Sequence, residues 1–90
     1  MKRETPEELK ARMKDANHLV PVGRFIRHVR TGNEYIVRSH SLRVGDLAPL
    51  VNYSPATGTV IVFSQDVAGI QAKFVMSDGE DWPTLPSAAP

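Results

Sequence analysis

The apolar residues of this chain change their spacing at residues 20–23, and this change constrains the fold more than any other feature. Before it, Leu9, Met13 and Ala16 recur at intervals of four and three residues, the spacing of one helix face. Val20-Pro21-Val22-Gly23 interrupts this pattern, because proline and glycine break regular structure. Beyond it, β-branched and aromatic residues alternate with polar ones. The sequence therefore predicts one helix followed by a β-sheet.

The helix is predicted over residues 6–17. Thr5 can cap its free backbone N–H groups, Pro6 suits the first helical position, and Glu8 completes a capping box. Since the apolar stripe is narrow, two roles are open. The helix either covers one end of the sheet or docks on a partner.

Short strands separated by turn residues indicate a mainly β, α+β fold. Glycine and asparagine in Thr31-Gly32-Asn33, and proline and glycine in Pro55-Ala56-Thr57-Gly58, favour tight turns. Because closure hides sheet edges, we expect a small SH3-like five-stranded barrel, or else a curled antiparallel sheet. The strands are predicted over 24–30, 34–41, 48–54, 59–64 and 70–76. The predicted units are an N-terminal helix and linker (1–22), the β domain (23–76) and a flexible acidic, proline-rich tail (77–90).

Alternation assigns only part of the core. In the first strand both faces mix apolar and basic residues, so the pattern does not say which face is inside. In the second, Tyr35 and Val37 are predicted to point inward, opposite Ile36, Arg38 and His40. The remaining apolar volume is expected from Leu50, Val51, Val60, Ile61, Val62, Phe63, Phe74 and Val75.

Composition excludes several classes of protein. The chain has 90 residues and no cysteine, so its core is small and neither disulfides nor thiolate metal sites stabilise it. No apolar run approaches the roughly 20 residues that cross a bilayer, and the first residues lack the apolar core of a signal peptide. We therefore expect a cytoplasmic location and no membrane partner. A thin core is compatible with self-association into a homo-oligomer.

No catalytic or metal-binding pattern is present, so the sequence predicts a protein that is not an enzyme and that uses no cofactor or metal. His18, His28 and His40 match no local zinc spacing. In Ser39-His40-Ser41, neighbouring strand residues point to opposite faces. Glycine-rich phosphate loops are absent as well.

Basic residues concentrate in the middle of the chain. Five arginines and one acid, Glu34, lie between Arg24 and Arg43, although the formal net charge is only +1. Guanidinium groups suit phosphate, and tyrosines that face outward stack on bases. The alternative is a solvated strand face whose arginines only discourage aggregation. The predicted ligand-binding residues are Arg27, His28, Arg30, Asn33, Tyr35, Arg38, His40, Arg43 and Tyr53.

Trp82 stands within the acidic stretch Glu80-Asp81-Trp82-Pro83. Two roles are open for it. It either folds back over an apolar patch or anchors a partner chain, since tryptophan is enriched in binding hot spots.

Arg27-His28-x-x-Thr31-Gly32-Asn33-x-Tyr35 is followed by His40, by Leu50-Val51-x-Tyr53 and by a turn at Gly58. This pattern resembles a family of small bacterial and phage proteins of unknown function that open with Tyr-Arg-His-x-Lys-x-Gly-x-x-Tyr. The resemblance covers residues 23–76 and implies an SH3-like β fold and a phage or prophage setting. The family closes its later hairpin with Trp-x-Arg-Pro, where this chain has Ile61-Val62-Phe63-Ser64.

The leading hypothesis is a non-enzymatic phage-type binding module. It would recognise an anionic ligand, a nucleotide or nucleic acid, through the arginine-rich hairpin, with counter-defence as one use. A second hypothesis is a protein–protein inhibitor or adaptor, such as an anti-CRISPR-like blocker of a bacterial defence complex, with Trp82 as a contact. A third is a structural component of a virion.

Overall fold

The computed structural model describes residues 5–57 and 61–85 and contains two helices and five strands. The strands form one antiparallel sheet in the order β4-β3-β2-β1-β5. Within the described residues β4 and β5 are separate edges, so the sheet is open and no closed barrel is observed. This confirms the helix and the five-stranded antiparallel sheet. The elements are α1 (Pro6–Leu19), β1 (Phe25–His28), β2 (Glu34–Leu42), β3 (Pro49–Pro55), β4 (Phe63–Asp66), α2 (Val67–Lys73) and β5 (Phe74–Met76).

Helix α1 begins as the sequence predicts. The Thr5 hydroxyl accepts a hydrogen bond from the Glu8 N–H at 3.2 Å, and the Glu8 carboxylate accepts one from the Thr5 N–H at 3.2 Å. Further along the chain, Ala16 and Val20 are buried, and Val20 joins the core of the sheet. The helix is therefore part of the same core as the strands. Neither helix in the described ranges is long and apolar enough to cross a membrane.

Helix α2 shows that the strand predicted over 70–76 is wrong for residues 70–73. The Asp66 carboxylate caps this helix by accepting a hydrogen bond from the Gly69 N–H at 2.8 Å. A Cβ atom at residue 69 would lie 2.8 Å from the capping oxygen, so glycine permits the cap. Ile70 is fully buried, and the chain continues from α2 into β5 at the opposite edge of the sheet from β4.

The strand register divides the sheet into two faces. Directly opposed residues share a face, so the buried side chains define a covered face that packs on α1 and α2. The opposite side, here called the open face, follows from the pairs Phe25↔Ile36, Ile36↔Ser54 and Arg27↔Val75. The covered face carries Ile26, Val37, Val51, Tyr53, Phe74 and Met76.

A β-bulge in β2 corrects the predicted orientation of His40. The register shifts between Val37 and Ser39, which adds one residue to β2 and reverses the alternation beyond it. His40 therefore pairs with Val51 on the covered face, on the same side as Val37 rather than opposite it. Strict alternation does not reveal such an extra residue.

Part of the predicted core is exposed. Ile61 is 52% exposed, Val62 59%, Phe63 42% and Val75 44%. The reason is topological, since β4 and β5 are edge strands and each has one neighbouring strand in the part of the chain that the structure describes. The predicted fourth strand also starts too early, because β4 begins at Phe63, and its residues 59 and 60 lie outside the described residues.

The segment expected to be a flexible tail makes defined contacts over residues 77–85. The Ser77 N–H donates to the Phe25 carbonyl at 3.0 Å, and the His18 ring Nε2 donates to the Thr84 carbonyl at 2.7 Å. Trp82 packs against the core and donates from its indole N–H to the Phe74 carbonyl at 3.3 Å. Of its two predicted roles, the structure shows the folded-back one. Residues 86–90 lie outside the described residues.

Candidate functional site

The predicted binding residues do not form one surface, because four of them lie on the covered side of the sheet. The Tyr53 ring is 9% exposed and packs edge-to-face on the Tyr35 ring at 5.4 Å. The His28 ring packs edge-to-face on Phe74 at 5.0 Å, and His40 faces the end of α1. Neither tyrosine is therefore placed to stack on a base.

Arg43 is bound internally. Its guanidinium donates to both carboxylate oxygens of Asp46, at 3.1 and 2.8 Å, and the same carboxylate accepts a hydrogen bond from the Ala48 N–H. These contacts lower the pKa of Asp46 to about 2, chiefly through the hydrogen bond from Arg43. Arg43 thus holds the β2–β3 connection together. Arg24, which directly precedes β1, forms ion pairs with Asp78 at 3.1 Å and with Glu80 at 3.8 Å.

Arg27, Arg30 and Arg38 are the arginines of the predicted set without an ion pair among the described residues. Arg30 lies in the β1–β2 turn with Asn33, whose N–H donates to the Thr31 hydroxyl at 3.2 Å. Both are exposed at the end of the hairpin. Arg27 and Arg38 extend over the open face instead.

The open face presents an aromatic ring between the two arginines. Phe25 is 47% exposed and lies beside Ile36. Arg27 lies opposite Glu34 on β2, and Glu34 is four residues from Arg38. At about 3.3 Å per residue, Arg27 and Arg38 are therefore about 13 Å apart along the strand direction. The Arg38 Nε–H donates to the Ser54 hydroxyl at 2.8 Å, which holds one nitrogen of its guanidinium against the open face.

Phe25 is a candidate binding residue that sequence reasoning missed. The available signal was its alternation with Arg27, which places the two on one face. The sequence did not show that this face is the uncovered one. A depression of about 370 Å³ borders the ring and is lined by Gly23, Arg24, Phe25, Glu34, Ser77 and Asp78.

Uncharged polar side chains continue the open face toward β4. The Asn52 amide donates to the Ser39 hydroxyl at 3.0 Å and accepts from the Ser64 hydroxyl at 2.7 Å. Ser41 also bonds this amide, at 3.3 to 3.4 Å. These side chains hydrogen-bond to one another, so this part of the open face is polar and uncharged.

A groove of about 440 Å³ lies elsewhere, between α1, the β2–β3 connection and α2. Its lining includes the carboxylates of Asp15, Asp46 and Asp66, the side chain of Arg12 and none of the predicted binding residues. Carboxylates repel an anionic ligand. With three carboxylates and one arginine, this groove suits an anionic ligand less well than the open face, which is the candidate site.

His40 gives the fold a pH dependence. Its ring Nε2–H donates to the Val20 carbonyl at 2.8 Å. Burial lowers the pKa of His40 from its usual 6.5, against a smaller opposing effect of that hydrogen bond. The folded protein thus favours the neutral ring. Its contribution to stability is fully present above the unfolded pKa and is lost as the pH falls below it toward the lower folded pKa.

We therefore expect the free energy of unfolding, measured by urea titration, to be smaller at about pH 5.5 than at about pH 7.5. His40→Gln keeps an N–H donor for the Val20 carbonyl but does not titrate, so its pH dependence is expected to be weaker. Equal pH dependence of the two proteins would contradict this role for His40.

The chain matches no protein-family model, no curated protein and no solved structure. The resemblance to the family of small bacterial and phage proteins, and the phage setting it implies, therefore stay predictions.

Proposed function

We propose that the protein is a non-enzymatic module that binds single-stranded nucleic acid on the open face of its sheet. The observation that carries the proposal is the placement of Arg27 and Arg38, neither of them ion-paired among the described residues, on either side of the exposed Phe25 ring. Single-strand binding combines positive charge along the backbone with aromatic rings on which bases stack. The open face supplies both kinds of contact.

The spacing of the arginines favours a ligand with several phosphates over a single phosphate. The two side chains start about 13 Å apart along the strands, at about 3.3 Å per residue, with Phe25 and Ile36 between them. The Arg38 Nε–H is also engaged with Ser54. An extended strand reaches both guanidinium groups, and one of its bases meets the ring. Arg30 and Asn33, at the end of the hairpin, would continue this track.

The Glu34 carboxylate lies on the open face and would repel a polyanionic ligand there. It lies opposite Arg27 in the strand register, yet no ion pair joins the two within the described residues. Glu34→Gln is therefore expected to raise the affinity for a single-stranded oligonucleotide several-fold at low salt, because it removes a repulsive charge from the site.

Glu7→Gln is the matched control for that substitution. Glu7 is exposed in the first turn of α1, and the change alters the net charge of the protein by the same amount. It is expected to leave the affinity almost unchanged. Equal gains in the two variants would show that only overall charge matters and would remove the assignment to the open face.

Titration with an unstructured oligonucleotide at several salt concentrations tests the proposal itself. Each neutralised phosphate of a single strand contributes about −0.7 to the slope of log affinity against log salt concentration. Two arginine contacts therefore correspond to a slope of about −1.4, and Arg30 would steepen it. Absence of binding at low salt would reject the proposal.

Binding of a protein partner on the open face is the second candidate function, and the exposed apolar residues of that face favour it. Val75 is 44% exposed and lies beside Arg27, while Phe25 and Ile36 lie one pair further along the strands. Binding of this kind would depend on Phe25 and Val75 and little on salt. Loss of partner capture in Phe25→Ala and Val75→Ala, with retention in the arginine variants, would favour this function over nucleic-acid binding.

A further inference from the structure

We infer that two copies of this protein associate through the free edge of β4 and form one continuous antiparallel sheet. This inference does not depend on the proposed function. It rests on the exposed apolar residues that lead into β4, on the absence of charge over residues 61–65, and on the aromatic cluster that ends at Phe63.

β4 spans four residues and ends at Asp66, but residues 61–65 carry no charge, lysine or proline to protect the sheet edge. Among residues 5–57 and 61–85, β4 pairs only with β3, so its other side presents backbone N–H and C=O groups. Ile61, Val62 and Phe63 are 52%, 59% and 42% exposed, and no residue from 61 to 65 is charged. Exposed edges are usually interrupted by lysine, proline or a bulge. Residues 61–65 contain neither lysine nor proline.

The edge at β5 is partly occupied by the chain itself. The Phe74 carbonyl accepts a hydrogen bond from the Trp82 indole N–H at 3.3 Å. Lys73 and Asp78 bring charge to the two ends of β5, and Asp78 is tied to Arg24. A strand whose edge carbonyl is already bonded and whose flanks are charged is protected from pairing. The two edges of the sheet are therefore unequal, and β4 is the open one.

A second copy fits this edge because an antiparallel pair of identical strands is self-complementary about a two-fold axis. If the axis passes near Ser64, Phe63 lies opposite Gln65 of the second copy and Asp66 opposite Val62. The two Asp66 carboxylates then lie far apart. Such pairing brings no like charges together, and the net charge of +1 adds little repulsion between copies.

Aromatic side chains of the covered face also favour pairing at the β4 edge, because pairing would bury exposed ring surface. The Phe63 ring lies 5.6 Å from the Tyr53 ring and 6.2 Å from the Tyr35 ring, at the end of a cluster that includes Phe74. Pairing about the two-fold axis brings a second Phe63 within cross-strand reach and covers the exposed part of both rings. The open faces of the two copies then lie on one side of the joint sheet.

Because the contact between two β4 edges is small, we expect the dimer to be weak. A standard interface buries about 800 Å² on each partner from about 20 residues or more, and the β4 edge offers far fewer. We therefore expect a reversible dimer with a dissociation constant on the order of tens of micromolar. Sedimentation over a concentration range that brackets this value should show the average mass rising from one chain to two.

The double variant Ile61→Lys/Val62→Lys tests the edge. It places like charges along the pairing strands of both copies and is expected to weaken the dimer by at least about tenfold. Both positions are exposed, so the variant is expected to fold, and a circular dichroism spectrum checks this. The matched control is Val29→Lys/Val44→Lys, whose residues are 64% and 95% exposed and lie away from β4. The control should dimerise like the original protein.

Hydrogen exchange supplies a second measurement. Amide protection within residues 61–66 should increase with protein concentration in the original protein and in the control, and not in the lysine variant. A single-chain mass throughout the range, or equal association of the two double variants, would overturn the inference. Wild-type protein that remains monomeric but protects these amides when another protein is added would also overturn it, in favour of an added strand from a different partner.

Discussion

Replacing Arg27 and Arg38 together with glutamine is expected to weaken binding of a single-stranded oligonucleotide by about a hundredfold at low salt. Each arginine is expected to contribute about tenfold through a charge-assisted contact with a phosphate. The two effects should nearly multiply, because the side chains start about 13 Å apart and share no partner among the residues that the structure describes. The salt slope should also become shallower by about 1.4.

The matched control for the arginine pair is Lys10→Gln/Lys14→Gln. Both lysines are exposed on α1, which packs against the covered face, and the net charge changes by the same amount. This control should keep most of the affinity and of the salt slope. If both double variants lose affinity equally, binding follows net charge alone and the open face has no special role.

Replacing Ile70 with alanine is expected to lower the free energy of unfolding by about 3 kcal/mol. Ile70 is 0% exposed on α2 and belongs to the core formed with Ile26, Val51 and Phe74. The shortened side chain leaves a cavity that neighbouring residues fill only in part. Since small domains have a total stability of about 5 kcal/mol or little more, this loss should be easily visible in urea unfolding.

Ile61→Ala makes the same chemical change at a residue that is 52% exposed. At protein concentrations too low for association, it should cost less than about 1 kcal/mol. Similar losses in the two variants would mean that α2 does not pack on the sheet as described.

The start of α1 was predictable because its signal is local. The capping box of Thr5 and Glu8 lies within four consecutive residues, and the helix that follows it is observed. The first hairpin was predictable for the same reason, since Gly32 has a positive φ of 78° in the turn that the sequence indicates.

Helix α2 was missed because its local signals conflict. Val67 and Ile70 are β-branched and Gly69 lowers helix propensity, so the segment has the composition of a strand. The cap at Asp66 was the available signal. What favours the helix is tertiary: Ile70 must fill the covered face while the chain crosses from one sheet edge to the other.

The arginines of the candidate site could be predicted from the sequence, but its aromatic residue could not. The concentration of arginine was visible in the sequence, and Arg27 and Arg38 do lie on the uncovered side of the sheet without ion pairs among the described residues. Which aromatic accompanies them was not visible, because that depends on the side the helices cover. Tyr35 and Tyr53 proved to pack inside and Phe25 outside. Likewise, the pairing of Arg43 with Asp46 depends on the bend of the β2–β3 connection.

Mapping of an oligonucleotide on the protein by two-dimensional NMR tests the central claim most directly. Amide and side-chain signals of Phe25, Arg27, Ile36 and Arg38 should shift together in a titration at low salt. Signals from the 440 Å³ groove beside α1 should remain in place. Shifts confined to that groove or to the covered face, or no shifts at all, would contradict binding on the open face.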